Sequence, residues 1–388
     1  MKLLFVSHRR DVSGGEICTQ RIIERLQGHK IRVILPDGAF AQRLARAGID
    51  FQIENALTSM SRAEDPYAFL KLVARAPALI ARLARKIRDF TPDLVISNGL
   101  GPLPYAGPAA CLARTPNICI HYHPVIKPGS SNAKLVFLIS KFCDGFIAVS
   151  DAMNRGLQIS GVRRERIKTI YNGLDLAEYQ PTQDRSNLLR ANLPPEVKLI
   201  GLVATISENK GHHIVIEAMR LMRDEFKVEG PWRLIFIGDV FENSAHGTAY
   251  KARLHEQITR AQLGDRVIFG GKHGDMRAVY QDLDIVLNAS VEPEPLGTTI
   301  YEAMAMGRIA VASDLGGSPE IISDAKNGFL VPAGDSRALA SVLTSILREK
   351  IDLPPILQAG RQRVEEAFDL RITVRRYVEF FEVHAKKK

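Results

Sequence analysis

Two glutamates in the last third of the chain, Glu294 and Glu302, stand eight positions apart in the stretch EPEPLGTTIYEAMAMG. The apolar run DIVLNAS before it predicts a buried strand, and TTIYEAMAM after Gly297 predicts a helix. The N–H groups of Gly297 and Thr298 would then open a helix just beyond a strand, where a phosphate or diphosphate binds well. There Glu302 can accept hydrogen bonds from ribose hydroxyls, and Glu294 from a polyol such as a sugar ring. The alternative is a solvated loop acid at Glu294 and a first-turn acid that complements the helix dipole at Glu302.

A lysine at a second predicted strand-to-helix junction, Lys210 in ENKGHH, is a suitable cation for a phosphate group. The alternative is a solvated lysine at the start of a helix. The two histidines that follow, His212 and His213, occupy adjacent helix positions and face apart. No carboxylate pair has D-x-D spacing near the carboxyl end of a predicted strand, so the sequence predicts no metal site.

Short apolar runs alternate with helical stretches along the whole chain, and this pattern positions the residues above. KLLFVS, KIRVILP, DLVISN, NICIH and DGFIAVS predict one parallel sheet with helices between the strands. After a polar, proline-containing stretch at 178–197, KLIGLVATIS opens a second series that continues through WRLIFIGD, RVIFGG, DIVLNAS and RIAVAS. We therefore predict an α/β fold of two Rossmann-like domains, 1–177 and 178–368, facing a cleft. A C-terminal helix at 369–388 is expected to cross back to the first domain.

The composition indicates a basic globular protein with an anionic partner. The 388 residues carry a formal net charge of +9 with a pI of about 9.4, which favours a phosphate-bearing substrate, an anionic membrane surface or nucleic acid. No stretch of 18 apolar residues predicts a membrane span, and the four cysteines show no disulfide-rich or C-x-x-C pattern. We predict a cytoplasmic location. The basic, apolar stretch 67–90 leaves open a peripheral contact with the inner face of an anionic membrane, against the alternative of a helix packed on the sheet.

The order of these segments resembles the GT-B retaining glycosyltransferases of family 4. E-x7-E after a strand, with PLG inside it, resembles the signature of that family. SGGEICTQRIIERLQGHKIRVILP, IAVSDAM, IYNGLDLAEYQP, GLVATISENKGHHIVIEAM and VASDLGGSPEIISDAKNGFLVPAGD resemble its other segments in the correct order. The resemblance covers nearly the whole chain. It implies an acceptor-binding first domain and a nucleotide-sugar-binding second domain, with no metal and no cofactor beyond the nucleotide sugar substrate.

The resemblance also assigns roles to residues of the second half. It implies that Glu302 holds the ribose, that Glu294 contacts the donor sugar and that Lys210 neutralises the leaving diphosphate. The backbone of the loop after Glu294 would cradle the diphosphate and the sugar; its residues are Leu296, Gly297, Thr298 and Thr299. The stretch from Gly270 to His273 would lie beside the nucleobase.

In the first half, the resemblance implies that the backbone of Gly14 and Gly15 closes on the donor diphosphate. It also places a histidine near the reacting sugar, and either His121 or His123 can take that place.

One position departs from the family pattern. Members usually carry an arginine five residues before the lysine, whereas this chain has Thr205 there. Either another basic residue supplies this charge, or the leaving group is stabilised less, or the chain has lost activity. Arg9 and Arg10 of the first domain are candidate replacements, or they bind an anionic acceptor.

The sequence thus predicts a hexosyltransferase that uses a nucleotide sugar donor, with UDP-sugars first and GDP-sugars second. The acceptor would be a carbohydrate, a lipid-linked molecule or a small molecule, in polysaccharide, glycolipid or glycoside biosynthesis. A nucleotide-sugar epimerase on the same fold, or a non-catalytic basic protein that binds nucleic acid or anionic lipid, remains as an alternative. Nucleic acid is not the expected partner because no aromatic-rich basic patch appears. A dinucleotide dehydrogenase lacks G-x-G-x-x-G after either opening strand.

Overall fold

The computed structural model describes residues 1–57, 66–121, 129–182, 184–241 and 244–385, without the side chains of 66–73, 131 and 132. The chain forms two compact units. Unit 1 comprises Met1–Gly173 together with Leu370–Lys388, and unit 2 comprises Leu174–Asp369. The predicted boundaries at 177/178 and 368/369 lie a few residues from these divisions.

Unit 1 is built on a parallel sheet of seven strands in the order β3-β2-β1-β4-β5-β6-β7. The central strands are continuous apolar runs because helices cover both faces of such a sheet. Its strands are β1 (Lys2–Val6), β2 (Lys30–Leu35), β3 (Phe51–Ile53), β4 (Leu94–Asn98), β5 (Asn117–His121), β6 (Gly145–Ala148) and β7 (Ile167–Thr169).

The helices of unit 1 connect successive strands. They are α1 (Gly14–Arg25), α2 (Ala39–Arg46), α3 (Pro66–Phe90), α4 (Leu103–Leu112), α5 (Ser131–Ser140) and α6 (Asp151–Ile159). A capping box opens α1, where the Ser13 N–H donates to Glu16 Oε2 at 3.1 Å.

The long helix α3 is one continuous element with Pro77 inside it. Its second half buries Leu79, Leu83 and Ile87 in a core cluster with the apolar side of α4. The described apolar face of α3 therefore packs inside unit 1. This agrees with the packing alternative for 67–90 and leaves that face unavailable to a membrane. None of the described helices has the length and apolar character needed to cross a bilayer.

The last helix, α14 (Leu370–His384), belongs to unit 1. Phe381 is fully buried and meets Phe5 of β1 edge to face at 6.4 Å. The return of the C-terminal helix to the first half, predicted from the sequence, is thus present, and it is fixed by burial of aromatic side chains against the sheet.

Unit 2 is built on a parallel sheet of six strands in the order β10-β9-β8-β11-β12-β13. The strands are β8 (Lys198–Val203), β9 (Trp232–Ile237), β10 (Val267–Gly271), β11 (Ile285–Asn288), β12 (Ile309–Ser313) and β13 (Phe329–Val331). The helices are α7 (His212–Asp224), α8 (Ala245–Arg260), α9 (Met276–Asp282), α10 (Thr298–Ala305), α11 (Ser318–Ile321), α12 (Ser336–Leu347) and α13 (Leu353–Ala367).

The stretch predicted as a linker is packed on unit 2 from residue 184 to residue 197. Arg190 is buried, and its guanidinium donates to the Asp284 carboxylate at 2.5 Å and to the Val197 carbonyl at 2.9 Å. The Leu189 N–H donates to Asp282 Oδ2 at 2.7 Å. These hydrogen bonds give partners to the Asp282 and Asp284 carboxylates before β11. The stretch is therefore part of unit 2 and not a flexible linker.

Candidate functional site

The candidate site of unit 2 lies where the strand order reverses. The chain builds outward from β8 in one direction to β9 and β10, and then in the other direction to β11, β12 and β13. The loops after β8 and β11 therefore leave the sheet side by side and turn to opposite faces, which creates a crevice at the carboxyl ends of the strands. Lys210 follows β8, and Glu294 follows β11.

The Glu294 carboxylate is held in this crevice by three donors. Lys210 Nζ and Ser290 Oγ both donate to Oε1, and Asn288 Nδ2 donates to Oε2 at 3.1 Å. Burial alone raises the pKa of Glu294, but the charge of Lys210 and these hydrogen bonds outweigh it and lower the pKa below its ordinary value. Glu294 is thus a fixed anion, suited to accept hydrogen bonds and unsuited to donate a proton.

Two glycines bring the loops of this site together. Gly211 has φ +70°, and a Cβ there would overlap the Ala289 carbonyl. Gly316 has φ +63°, and a Cβ there would overlap the Glu294 backbone. Next to Gly316, the Gly317 N–H donates a hydrogen bond to the Glu294 carbonyl at 3.0 Å. The position of Glu294 thus depends on backbone approaches that only glycine permits.

Glu302 lies on α10 with its side chain directed into a polar contact. The residue is 7% exposed, and the buried Tyr280 hydroxyl of α9 donates to Oε2 at 2.8 Å. This bond holds the Glu302 carboxylate in place on α10. The solvated first-turn alternative does not describe this side chain, because it is buried.

The loop from Leu296 to Thr299 forms the N-terminus of α10. Gly297 is the residue before the helix and has φ −69°, so it is not required for its backbone angle. A Cβ at Gly297 would instead come within 2.9 Å of Asn288 Nδ2 and 2.7 Å of Ile300 Cδ1. Leu296 is buried, and Thr298 and Thr299 are half-buried at the first turn. The first amides of a helix have no acceptor within it, so this turn offers N–H groups to an anion.

Thr205 lies half-buried in the loop after β8. The neighbouring Ile206 N–H donates to the Asp239 carbonyl at 3.1 Å, and Lys251 of α8 pairs with the Asp239 carboxylate at 2.9 Å. Lys251 of α8 is therefore connected through Asp239 to Ile206, the neighbour of Thr205, where the family pattern has an arginine.

Gly270 and His273 lie at the β10 edge of the sheet. The His273 ring nitrogen Nε2 and the Gly270 carbonyl are 2.9 Å apart, and the Gly271 carbonyl accepts from the Gly238 N–H at 2.7 Å. This turn is thereby fixed beside the loop after β9. Its placement beside a nucleobase remains a prediction.

The candidate residues of unit 1 also gather at the carboxyl ends of its strands. Arg9 and Arg10 follow β1 with exposed side chains, Gly14 and Gly15 open α1, and His121 ends β5 fully buried.

The loops of unit 1 are tied down by hydrogen bonds. The Arg10 carbonyl accepts from the Phe40 N–H at 2.9 Å, and Thr19 Oγ1 donates to Asn98 Oδ1 at 2.8 Å. His123 lies outside the described residues, so the choice between the two histidines stays open.

Three side chains of the unit 2 site were missed in the sequence. Asn288 and Ser290 stand six and four positions before Glu294, and the polar residues at the end of DIVLNAS were the signal that could have identified them. Tyr280 gives no such signal because its contact with Glu302 depends on how α9 packs beside α10. Across the described part of the chain, no three His, Cys, Asp or Glu side chains group so as to hold a metal ion.

Comparison with known proteins agrees with this geometry. The family model described as glycosyltransferase family 4 matches residues 12–178, and the model described as glycosyl transferases group 1 matches residues 185–363. Each model lies within one half of the chain, and together they cover most of it, which supports a glycosyltransferase of the family 4 type.

Individual relatives and a solved structure are similar to this chain. WcaL of Escherichia coli K12, named for colanic acid biosynthesis, is 30% identical over 59% of this chain and 54% of its own length. LpsB of Rhizobium meliloti, named as a lipopolysaccharide core mannosyltransferase, is 25% identical over 55% of this chain and 60% of its own length. The chain thus spans little more than half of these two relatives.

The crystal structure of HepE from Anabaena with UDP and glucose has 26% identity and a TM-score of 0.84 over 98% of this chain and 99% of that chain. The two-domain GT-B fold predicted from the sequence is confirmed by this match.

Proposed function

We propose that this chain is a retaining glycosyltransferase that moves a hexose from a nucleotide diphosphate sugar to an acceptor hydroxyl. UDP-sugars are favoured over GDP-sugars because HepE, similar over nearly its whole length, was crystallised with UDP and with UDP-glucose. The names of WcaL and LpsB support an acceptor in cell-envelope polysaccharide or glycolipid biosynthesis. LpsB is also named as a mannosyltransferase, which supports the transfer of a hexose.

The observation that carries the proposal is the ion pair of Lys210 and Glu294 beside the N-terminus of α10. A diphosphate at this helix end would meet the first-turn N–H groups and the Lys210 ammonium. Glu302 lies in the same helix, where its carboxylate can bind the ribose hydroxyls. The site therefore offers positive charge for the diphosphate, the Glu302 carboxylate for the ribose hydroxyls and the Glu294 carboxylate for the sugar hydroxyls.

The chemistry would consist mainly of stabilising the departing diphosphate. In the proposed front-side substitution, the bond from the anomeric carbon to the diphosphate oxygen breaks while the acceptor oxygen bonds on the same face. The acceptor proton goes to the leaving diphosphate. Glu294, held as an anion, would bind sugar hydroxyls without taking part in proton transfer. Since Lys210 and the helix N-terminus carry the diphosphate charge, the reaction needs no metal ion and no cofactor.

The test is a panel of UDP- and GDP-hexoses incubated with the protein and with carbohydrate or lipid-linked acceptors, in the presence and absence of EDTA, with release of nucleoside diphosphate and the glycoside products followed by NMR. We expect turnover of a UDP-hexose that EDTA does not reduce, and a product with the anomeric configuration of the donor. An inverted product would contradict retention, and loss of activity in EDTA would contradict metal independence. Release of an isomerised sugar in the absence of an acceptor would show that the protein is an epimerase and not a transferase.

A further inference from the structure

Unit 1 exposes a group of large apolar side chains at the C-terminal ends of three consecutive helices. These are Leu112 at the end of α4, Phe137, Leu138 and Phe142 at the end of α5, and Ile159 at the end of α6. Each is between 43% and 57% exposed. Single exposed apolar residues are ordinary, but a contiguous group on a soluble surface indicates a contact with something else. We call these five residues the α4–α6 patch.

Two members of the α4–α6 patch pack closely on glycines of the neighbouring segments. Phe142 lies on Gly107 of α4, where a Cβ would come within 2.8 Å of the Phe142 Cβ. Phe137 lies on Gly161, just beyond the end of α6, where a Cβ would come within 2.9 Å of the ring. Because neither glycine has a side chain, Phe142 approaches α4 closely and Phe137 approaches the residues after α6, so the end of α5 contacts both neighbouring segments.

The surroundings of the α4–α6 patch are strongly basic. The segments 103–116, 131–144 and 157–168 that build it contain seven Lys and Arg residues against two acidic residues, Asp144 and Glu165. The Lys141 ammonium lies 5.1 Å from the centre of the Phe137 ring, and Arg166 donates to the Ser140 carbonyl at 2.8 Å. Asp144 is already engaged, since its carboxylate accepts from the Asn117 N–H at 2.8 Å.

From this arrangement we propose that the α4–α6 patch docks unit 1 on an anionic lipid bilayer. Aromatic and aliphatic side chains would enter the interface, while the surrounding Lys and Arg residues would bind anionic headgroups. An apolar protein partner would not require this excess of positive charge. The helices run antiparallel to the strands, so their C-terminal ends lie at the edge of the sheet opposite the strand carboxyl ends. Docking there leaves the loops after β1 and β4 uncovered.

The test is flotation of the full-length protein with vesicles of phosphatidylcholine, with and without 30% phosphatidylglycerol. We expect binding to the anionic vesicles that weakens as salt rises, because the headgroup attraction is screened. The variant with both Phe137→Glu and Leu138→Glu should lower the partition coefficient by at least about tenfold, since it removes apolar burial and adds like charge. Leu188→Glu is the matched control. Leu188 is 46% exposed on unit 2, as Phe137 is on unit 1, and this variant should bind as the wild type does.

Three outcomes would overturn the proposal. Equal binding by the Phe137/Leu138 variant and the Leu188 variant would place the membrane contact elsewhere. Absence of binding to anionic vesicles by the folded wild type would remove the bilayer as the partner. A shift from dimer to monomer in the Phe137/Leu138 variant, measured by light scattering, without vesicle binding by the wild type, would assign the patch to self-association. Circular dichroism and thermal melting establish that each variant is folded before it is compared.

Discussion

At the scale of single residues, the pairing of Lys210 with Glu294 is the most informative contact. Their side chains are 27% and 14% exposed, so each charge depends on the other more than in a surface ion pair. Replacing Lys210 with Met should destabilise the protein by roughly 2–4 kcal/mol, because a buried carboxylate loses its cation. In a Glu294→Gln background the same replacement should cost less than about 1 kcal/mol.

Urea unfolding of the four proteins in this cycle measures the coupling. Lys251→Met is the matched control. Its ion pair with Asp239 is about one-third exposed on both sides, so its loss should be no more than about 1 kcal/mol. Equal losses for Lys210→Met in both backgrounds would show that the two residues are not coupled.

A second residue, His212, should make stability depend on pH. The ring is fully buried and lies edge to face with Phe236 at 5.0 Å. Burial, with a smaller effect from nearby charges, lowers the pKa of His212 to about 3, against 6.5 in the unfolded chain. As the pH falls below 6.5, the unfolded state therefore binds a proton that the folded state excludes, and stability decreases by about 1.4 kcal/mol per pH unit.

We expect His212→Gln to flatten the stability curve between pH 6 and pH 4, measured by urea unfolding. If the His212 variant kept the slope of the wild type, the ring would not be held neutral.

At the scale of elements, the turn that carries Lys210 depends on Gly211. This residue has a left-handed backbone and contacts the loop after β11 closely, whereas Gly230 has φ +95° with open space around its Cβ position. Gly211→Ala should therefore cost about 1 kcal/mol of backbone strain plus the displacement of the turn, and Gly230→Ala only the strain. Thermal melting should show a clearly larger loss for Gly211→Ala. Equal losses would mean that the close approach to Ala289 contributes nothing.

The elements that the sequence predicted well are those with a strong local signal. Apolar runs such as KLLFV and LVISN fix the central strands, and Gly297 followed by TTIYEAMA fixes the start of α10. The three-residue strands β3, β7 and β13 are too short to give a periodic pattern of their own. The polar, proline-containing stretch 178–197 predicts a linker, whereas residues 184–197 pack on unit 2. Their bonds to Asp282 and Asp284 join residues far apart in the sequence and give no local signal.

Side-chain partners in the site were harder to predict than the loops that carry them. Lys210 and Glu294 are 84 positions apart and meet because β8 and β11 are neighbours in the sheet. The same holds for Tyr280 and Glu302, which belong to different helices. Sequence spacing located each carboxylate beside a helix start, but only the packing of the sheet and the helices determines which donors reach it.

At the scale of the whole molecule, two similar sheets carry different chemical groups at their carboxyl edges. Unit 2 presents a lysine, two buried carboxylates and a helix N-terminus, which suits a nucleotide diphosphate. Unit 1 presents exposed arginines after β1 and a buried histidine at the end of β5. We propose that the nucleotide diphosphate binds at the edge of unit 2, with the diphosphate at Lys210 and the ribose at Glu302.

The most direct measurement of this claim is calorimetric titration of UDP, UMP and uridine into four proteins. They are the wild type, Lys210→Met, Glu302→Gln, and Glu196→Gln as an exposed control on unit 2. We predict that Lys210→Met weakens UDP by at least about tenfold, or 1.4 kcal/mol, and changes uridine little. Glu302→Gln should weaken all three ligands, and Glu196→Gln none. Equal UDP affinity in all four folded proteins, or the absence of UDP binding by the wild type, would contradict the proposed site.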